Sequence, residues 1–175
     1  VGYYDFCVIN GVMYFTAGDN FHGEELWKTD GTEAGTEMVL DINPGAGNSS
    51  PDELVNLGGT LYFTADDGSS GEELWKSDGT AAGTVMVMDI NPGAEKSMPS
   101  YLVTIGGTLY FQANDGAHGA EIWKSDGTQA GTVMVKDICS GSARSAAKNF
   151  TNVNGTVFFQ ADDGTNGDEL WKSDG

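Results

Sequence analysis

Positive charge is scarce in this sequence: 8 Lys and Arg stand against 26 Asp and Glu in 175 residues, a formal charge of -18. A phosphate backbone must be met with cations, so nucleic acid is excluded as a partner. Anionic membrane surfaces are disfavoured on the same ground. No apolar run approaches the roughly 20 residues that span a bilayer, so no membrane insertion is expected. Cysteine is almost missing, and Cys7 and Cys139 make neither a disulfide framework nor a metal-ligand spacing. Whether those two pair with each other stays open. The sequence opens at Val1 without a signal-peptide pattern, which reads as a processed chain or a piece of a longer one.

Glycine, by contrast, is abundant at 26 residues and is spread along the chain, while proline is rare at 4. Many tight turns in an all-β protein follow from that composition. The dominant feature is a repeat. Trp27, Trp75, Trp123 and Trp171 are each 48 residues apart, within EELWKTDGT, EELWKSDGT, AEIWKSDGT and DELWKSDG. Upstream of each stands GVMYFTAGD, GTLYFTADD, GTLYFQAND or GTVFFQADD. Units at 1–45, 46–93, 94–141 and 142–175 therefore form a single array.

Each unit reads as four strands. In the second copy these are predicted over 54–57, 61–65, 73–76 and 85–90. Leu61, Phe63 and Ala65 alternate with Tyr62 and Thr64, the period of a strand packed on both faces. Gly58-Gly59, Asp67-Gly68 and Asp78-Gly79 supply the turns, and Asn91-Pro92-Gly93 leads to the next unit. An antiparallel four-stranded unit of this size with one aromatic marker fits a β-propeller blade, with a linear stack of the same units as the alternative. The first unit's opening strand is expected over 4–9. The fourth unit lacks its final strand, leaving Leu170 and Trp171 on an unpaired edge, the basis for expecting a link in a longer polymer.

The recurring ELWKSDGT, followed by AGT and DINPG, resembles the ELWxxDGT (hyalin-like) repeat of secreted bacterial proteins. That resemblance spans the chain and implies a propeller-like fold in an extracellular or cell-surface setting. It brings no catalytic residues. The third copy departs from the pattern at Ile122 and at Cys139-Ser140.

Residues that recur in every copy are expected to be structural. Trp27, Trp75, Trp123 and Trp171 could offer sugar-stacking faces, but identical placement in each copy favours core, together with Phe15, Phe63, Phe111 and Phe159. Asp67, Glu73, Asp78 and Asp89, with Asp115, Glu121, Asp126 and Asp137, read as turn residues. No cofactor is called for, although Ca2+ at these recurrent acidic loops is the candidate that hard oxygen ligands would allow. Lys28, Lys76, Lys124 and Lys172 read as repeated ion-pair partners of the glutamates at the Glu73 position, which could alternatively cap the next unit. His22 and His118 share a position that holds Ser70 and Asn166 elsewhere, and so read as loop residues. Candidate glycosylation sequons begin at Asn48, Asn149 and Asn154.

The reading that follows is a non-enzymatic extracellular structural or adhesive repeat protein, a building block of a polymeric assembly or fibre, with other copies of itself as partners. The alternative is a glycan- or protein-binding β-propeller, and a hydrolase ranks last because no triad can be assembled by motif. The discriminator is where the copies differ. Residues 46–50, 94–98 and 142–147 carry most of the variation, and their convergence on one pocket would favour binding.

Overall fold

The computed structural model describes residues 6–174, and every regular element in that range is a strand. The first sheet holds β1 (Phe6–Ile9), β2 (Val12–Asp19), β3 (Gly23–Thr29) and β4 (Glu37–Leu40). The second holds β5 (Asp52–Leu57), β6 (Thr60–Asp66), β7 (Glu72–Ser77) and β8 (Val85–Met88). The third holds β9 (Ser100–Ile105), β10 (Thr108–Asn114), β11 (Ala120–Ser125) and β12 (Val133–Lys136). The last comprises β13 (Lys148–Val153), β14 (Thr156–Asp162) and β15 (Asp168–Ser173). All pairings are antiparallel between consecutive strands, in near-identical registers: Phe15 faces Trp27, Phe63 faces Trp75, Phe111 faces Trp123 and Phe159 faces Trp171.

Contacts between the sheets run through their first strands, β1 with β5, β5 with β9 and β9 with β13. The units therefore meet along one inner edge and spread outward as propeller-like blades. Their facing surfaces hold the core. Tyr14, Leu26, Val39 and Ile42 of the first blade pack on Leu61, Phe63 and Trp75 of the second. The same two surfaces meet again as Tyr62, Leu74 and Val87 against Leu109, Phe111 and Trp123. Strand alternation thus commits Phe63 to the preceding blade and Tyr62 to the following one.

Two sequence expectations change here. The outer strand of the second unit ends at Met88 rather than residue 90, because the backbone beyond it turns inward to bond the Glu73 carboxylate. The first strand is described only from Phe6, and Tyr4 and Asp5 lie outside the described residues.

Candidate functional site

Most of the repeated signature is consumed by the joints between blades. The Nζ of Lys28 donates to the carbonyl of Gly79 at 2.7 Å, and that of Lys76 to Gly127 at 2.8 Å, each reaching into the next blade. Gly79 and Gly127 sit at positive φ (88° and 86°) against the hydroxyls of Tyr14 and Tyr62, where a Cβ would collide. Asp78 accepts from the amide and the hydroxyl of Thr80, and Thr84 ties to Ser77 through their hydroxyls at 2.7 Å. The DGT and AGT segments thus form one closed loop. Asp67 likewise spends an oxygen on the amides of Ser69 and Ser70. Among the described residues no group of three or more His, Cys, Asp or Glu is placed to hold a metal.

The expected lysine–glutamate pairing does not form at the second blade. Residues 73 and 76 are an odd number apart, so a strand turns them to opposite faces. Glu73 is fully buried, and its carboxylate accepts from the amides of Ile90 (2.9 Å), Asn91 (3.4 Å) and Ser97 (3.1 Å) and from the Ser97 hydroxyl (2.6 Å). Glu25 and Glu121 hold the same place, latching residues 42–49 and 138–145. The latch fixes the course of each linker. Ser97 in turn receives the amide of Asn114 from the next blade at 2.9 Å, and Ser145 receives that of Asp162 at 2.8 Å.

Burial pushes the Glu73 carboxyl up from 4.5 to about 6, against the pull of its hydrogen-bond donors. Burial likewise raises Glu25 and Glu121. An acid raised in the folded state stabilises the fold fully below 4.5 and loses that contribution as pH rises through about 6. Asp78 and Asp126, held down by Thr80 and Thr128, oppose this only below 3.8. The melting temperature is therefore expected to fall between pH 4.5 and 7, with a shallower fall in Glu73→Gln. A rise across that window in calorimetry would contradict the account.

Held in this way, two of the variable linkers converge. Lys96, Ser97 and Met98 from one, and Ser142, Ala143 and Arg144 from the other, wall an open cleft of about 1140 Å³. Gln112 and Asn114 of β10 and the Asp162 turn of the last blade complete it. Lys96 faces Asp66 at 3.3 Å and Glu72 at 3.7 Å. The third linker differs for a visible reason. Asn43 and Asn91 each donate a side-chain amide to their linkers, at Asn48 and Lys96, whereas Cys139 in that position packs on Gly164 with a thiol raised by burial.

The residues singled out from sequence lie elsewhere. Trp75 and Trp123 are buried between blades and offer no sugar-stacking face, while Trp27 and Trp171 are half-buried. Phe63, Phe111 and Phe159 are buried and Phe15 half-buried. His22 and His118 each bond an aspartate three residues earlier, Asp19 and Asp115, which raises both imidazoles. Asn48, Asn149 and Asn154 are exposed; the Asn48 amide oxygen accepts from Glu24, and Asn149 donates to Gln160. Gln112 and Arg144 were not found from sequence. The signal for Arg144 was its being the sole arginine; Gln112 stands where the first two copies hold Thr16 and Thr64 and the fourth holds Gln160.

No protein-family model and no curated protein matches the chain. Solved structures do. A puromycin hydrolase crystal structure shares the fold at a TM-score of 0.65 and 14% identity, over 97% of this chain and 26% of that one. Its S511A mutant complexed with PGG matches at 0.61 and 14%, over 92% and 25%. A structure from a study of two prolyl endopeptidases matches at 0.55 and 13%, over 98% and 26%. The chain spans about a quarter of the length of these structures, and likeness at such identity shows the propeller-like fold alone. These neighbours are hydrolases, which does not decide whether this chain is catalytic. The expectation of a structural or adhesive building block is nevertheless overturned. The structures that share the fold are enzymes rather than fibre or adhesion proteins, and two of the three variable linkers meet in a cleft.

Proposed function

We propose that this chain is a recognition module that binds a segment of another protein in the cleft between the linkers at 96–100 and 142–144. The observation that carries the reading is that two of the three segments differing most between copies wall one cleft. A peptide suits the cleft better than a glycan, because no aromatic ring lines it and sugars are commonly held by stacking. The amides of Gln112 and Asn114, beside Met98 and Pro99, match the mixed polar and apolar character of a peptide. Prolyl endopeptidases among the fold neighbours are, by name, enzymes of peptides. The proposal assigns no hydrolytic step: neither histidine lines the cleft, and the Ser97 hydroxyl is engaged by Glu73.

The test is to pan a random peptide library on the folded chain and measure the enriched peptides by fluorescence anisotropy. Ala143→Trp, which fills the cleft from an exposed position, is expected to weaken binding by at least about tenfold, some 1.4 kcal/mol. Ala81→Trp, on an exposed outer loop, serves as control. Peptides that bind both variants as tightly as the parent chain would place the site elsewhere.

A further inference from the structure

Arg144 is the only arginine of the chain, it is exposed on the cleft wall, and among the described residues it has neither a hydrogen bond nor an ion pair. With 26 carboxylates in the sequence, an unmatched guanidinium is unexpected. The other cation of the cleft, Lys96, is already matched by Asp66 and Glu72. Gln112 provides a second, independent observation. Its counterparts are all engaged: Thr16 donates to Pro51, Thr64 to Asp52, and Gln160 to Asp168. Gln112, half-buried on β10, has no such partner among the described residues. The cleft thus presents two polar side chains, one cationic, that the fold itself does not use.

We infer that the cleft recognises a peptide bearing a single carboxylate, received by Arg144 and steadied by Gln112; this rests on the peptide-binding reading above. The planar guanidinium offers paired donors that match a carboxylate, a geometry a lysine cannot reproduce. The limit to one carboxylate comes from the acids nearby. Glu72 and Asp162 share the cleft, and the chain carries a net charge of -18, so a second negative group on the ligand meets repulsion. A carboxylate can come from a free C-terminus or from an Asp or Glu side chain, and the two sources give the same contact.

The experiment uses three random hexapeptide pools labelled at the N-terminus with a neutral, carboxylate-free BODIPY dye. One has a free C-terminal acid and no Asp or Glu, one has a C-terminal amide and a single Glu, and one has a C-terminal amide with Gln in place of that Glu. Anisotropy titrations with the full chain are expected to favour a carboxylate pool over the carboxylate-free pool by at least about tenfold, and the favoured pool identifies the source. Arg144→Gln should erase that preference, while Arg144→Lys should restore only part of it. Raising the salt should weaken only the carboxylate pools. Equal binding of all three pools, insensitive to Arg144→Gln but lost in Ala143→Trp, overturns the carboxylate assignment and leaves the cleft reading intact. Binding that ignores Ala143→Trp, or no binding of any pool, overturns both.

Discussion

Trp75→Ala is expected to destabilise the chain by about 3 to 5 kcal/mol, the range for truncating a large core aromatic. Trp75 is 8% exposed and lies in the cluster that joins the first two blades, with Tyr14, Leu26 and Val39 in the same cluster. The loss therefore includes a cavity at a joint, where two sheets must both shift to close it. Two companions make the origin of the loss readable. The Trp75 Nε1 has no hydrogen-bond partner, so Trp75→Phe removes volume without breaking a bond and should cost clearly less. Trp27 faces Phe15, the counterpart of the Phe63 that faces Trp75, but is only half-buried, so Trp27→Ala should also cost less. Urea denaturation of the three variants measures this. Equal losses at Trp27 and Trp75 would show that inter-blade burial is not what the indole contributes.

The part of this fold that sequence makes legible is the part that repeats. Four tryptophans at one spacing, each beside the same turn residues, define the blade, and the alternation in Leu61–Ala65 defines which side chains face which neighbour. The joints are less legible. Glu73 looks like a surface charge three residues from Lys76 in a polar-flanked strand, and its partners stand 17, 18 and 24 residues downstream, in a linker that reads as irregular. Only the fold brings them together. The lysine misleads for the same reason, since its acceptor, a glycine carbonyl 51 residues on, leaves no mark in side-chain chemistry. The cleft is hardest to see, because it is built in part from positions that do not repeat. Arg144, Gln112 and Cys139 are visible as departures, but their convergence depends on how neighbouring blades are set against each other. Repetition itself misdirects the functional reading, because periodic sequence suggests a polymer while the variation between copies is what shapes the cleft.

Removing the latch should be as costly as removing the indole, and it reaches the cleft as well. In Glu73→Ala the amides of Ile90, Asn91 and Ser97 lose their acceptor, as does the Ser97 hydroxyl. Orphaning a buried donor costs about 1 to 3 kcal/mol, and several on one carboxylate do not add independently. A loss of about 4 kcal/mol is the expected result, near the upper end for single substitutions. Glu73→Gln keeps one acceptor oxygen but sets an NH2 group against donors, so it should fall between the parent and Glu73→Ala. Ser97→Ala removes one hydroxyl and leaves the backbone bonds, so it should cost about 1 kcal/mol. Because Ser97 lies in the cleft wall and also accepts the Asn114 amide of the next blade, a loosened linker should weaken peptide binding together with stability. Hydrogen exchange reports the latch directly. The amides of Ile90 and Ser97 should lose protection in Glu73→Ala under native conditions, while those of the β10–β11 ladder retain theirs. Uniform loss of protection across the chain would mean that Glu73 supports the fold as a whole, and would remove the reason for linking it to the cleft.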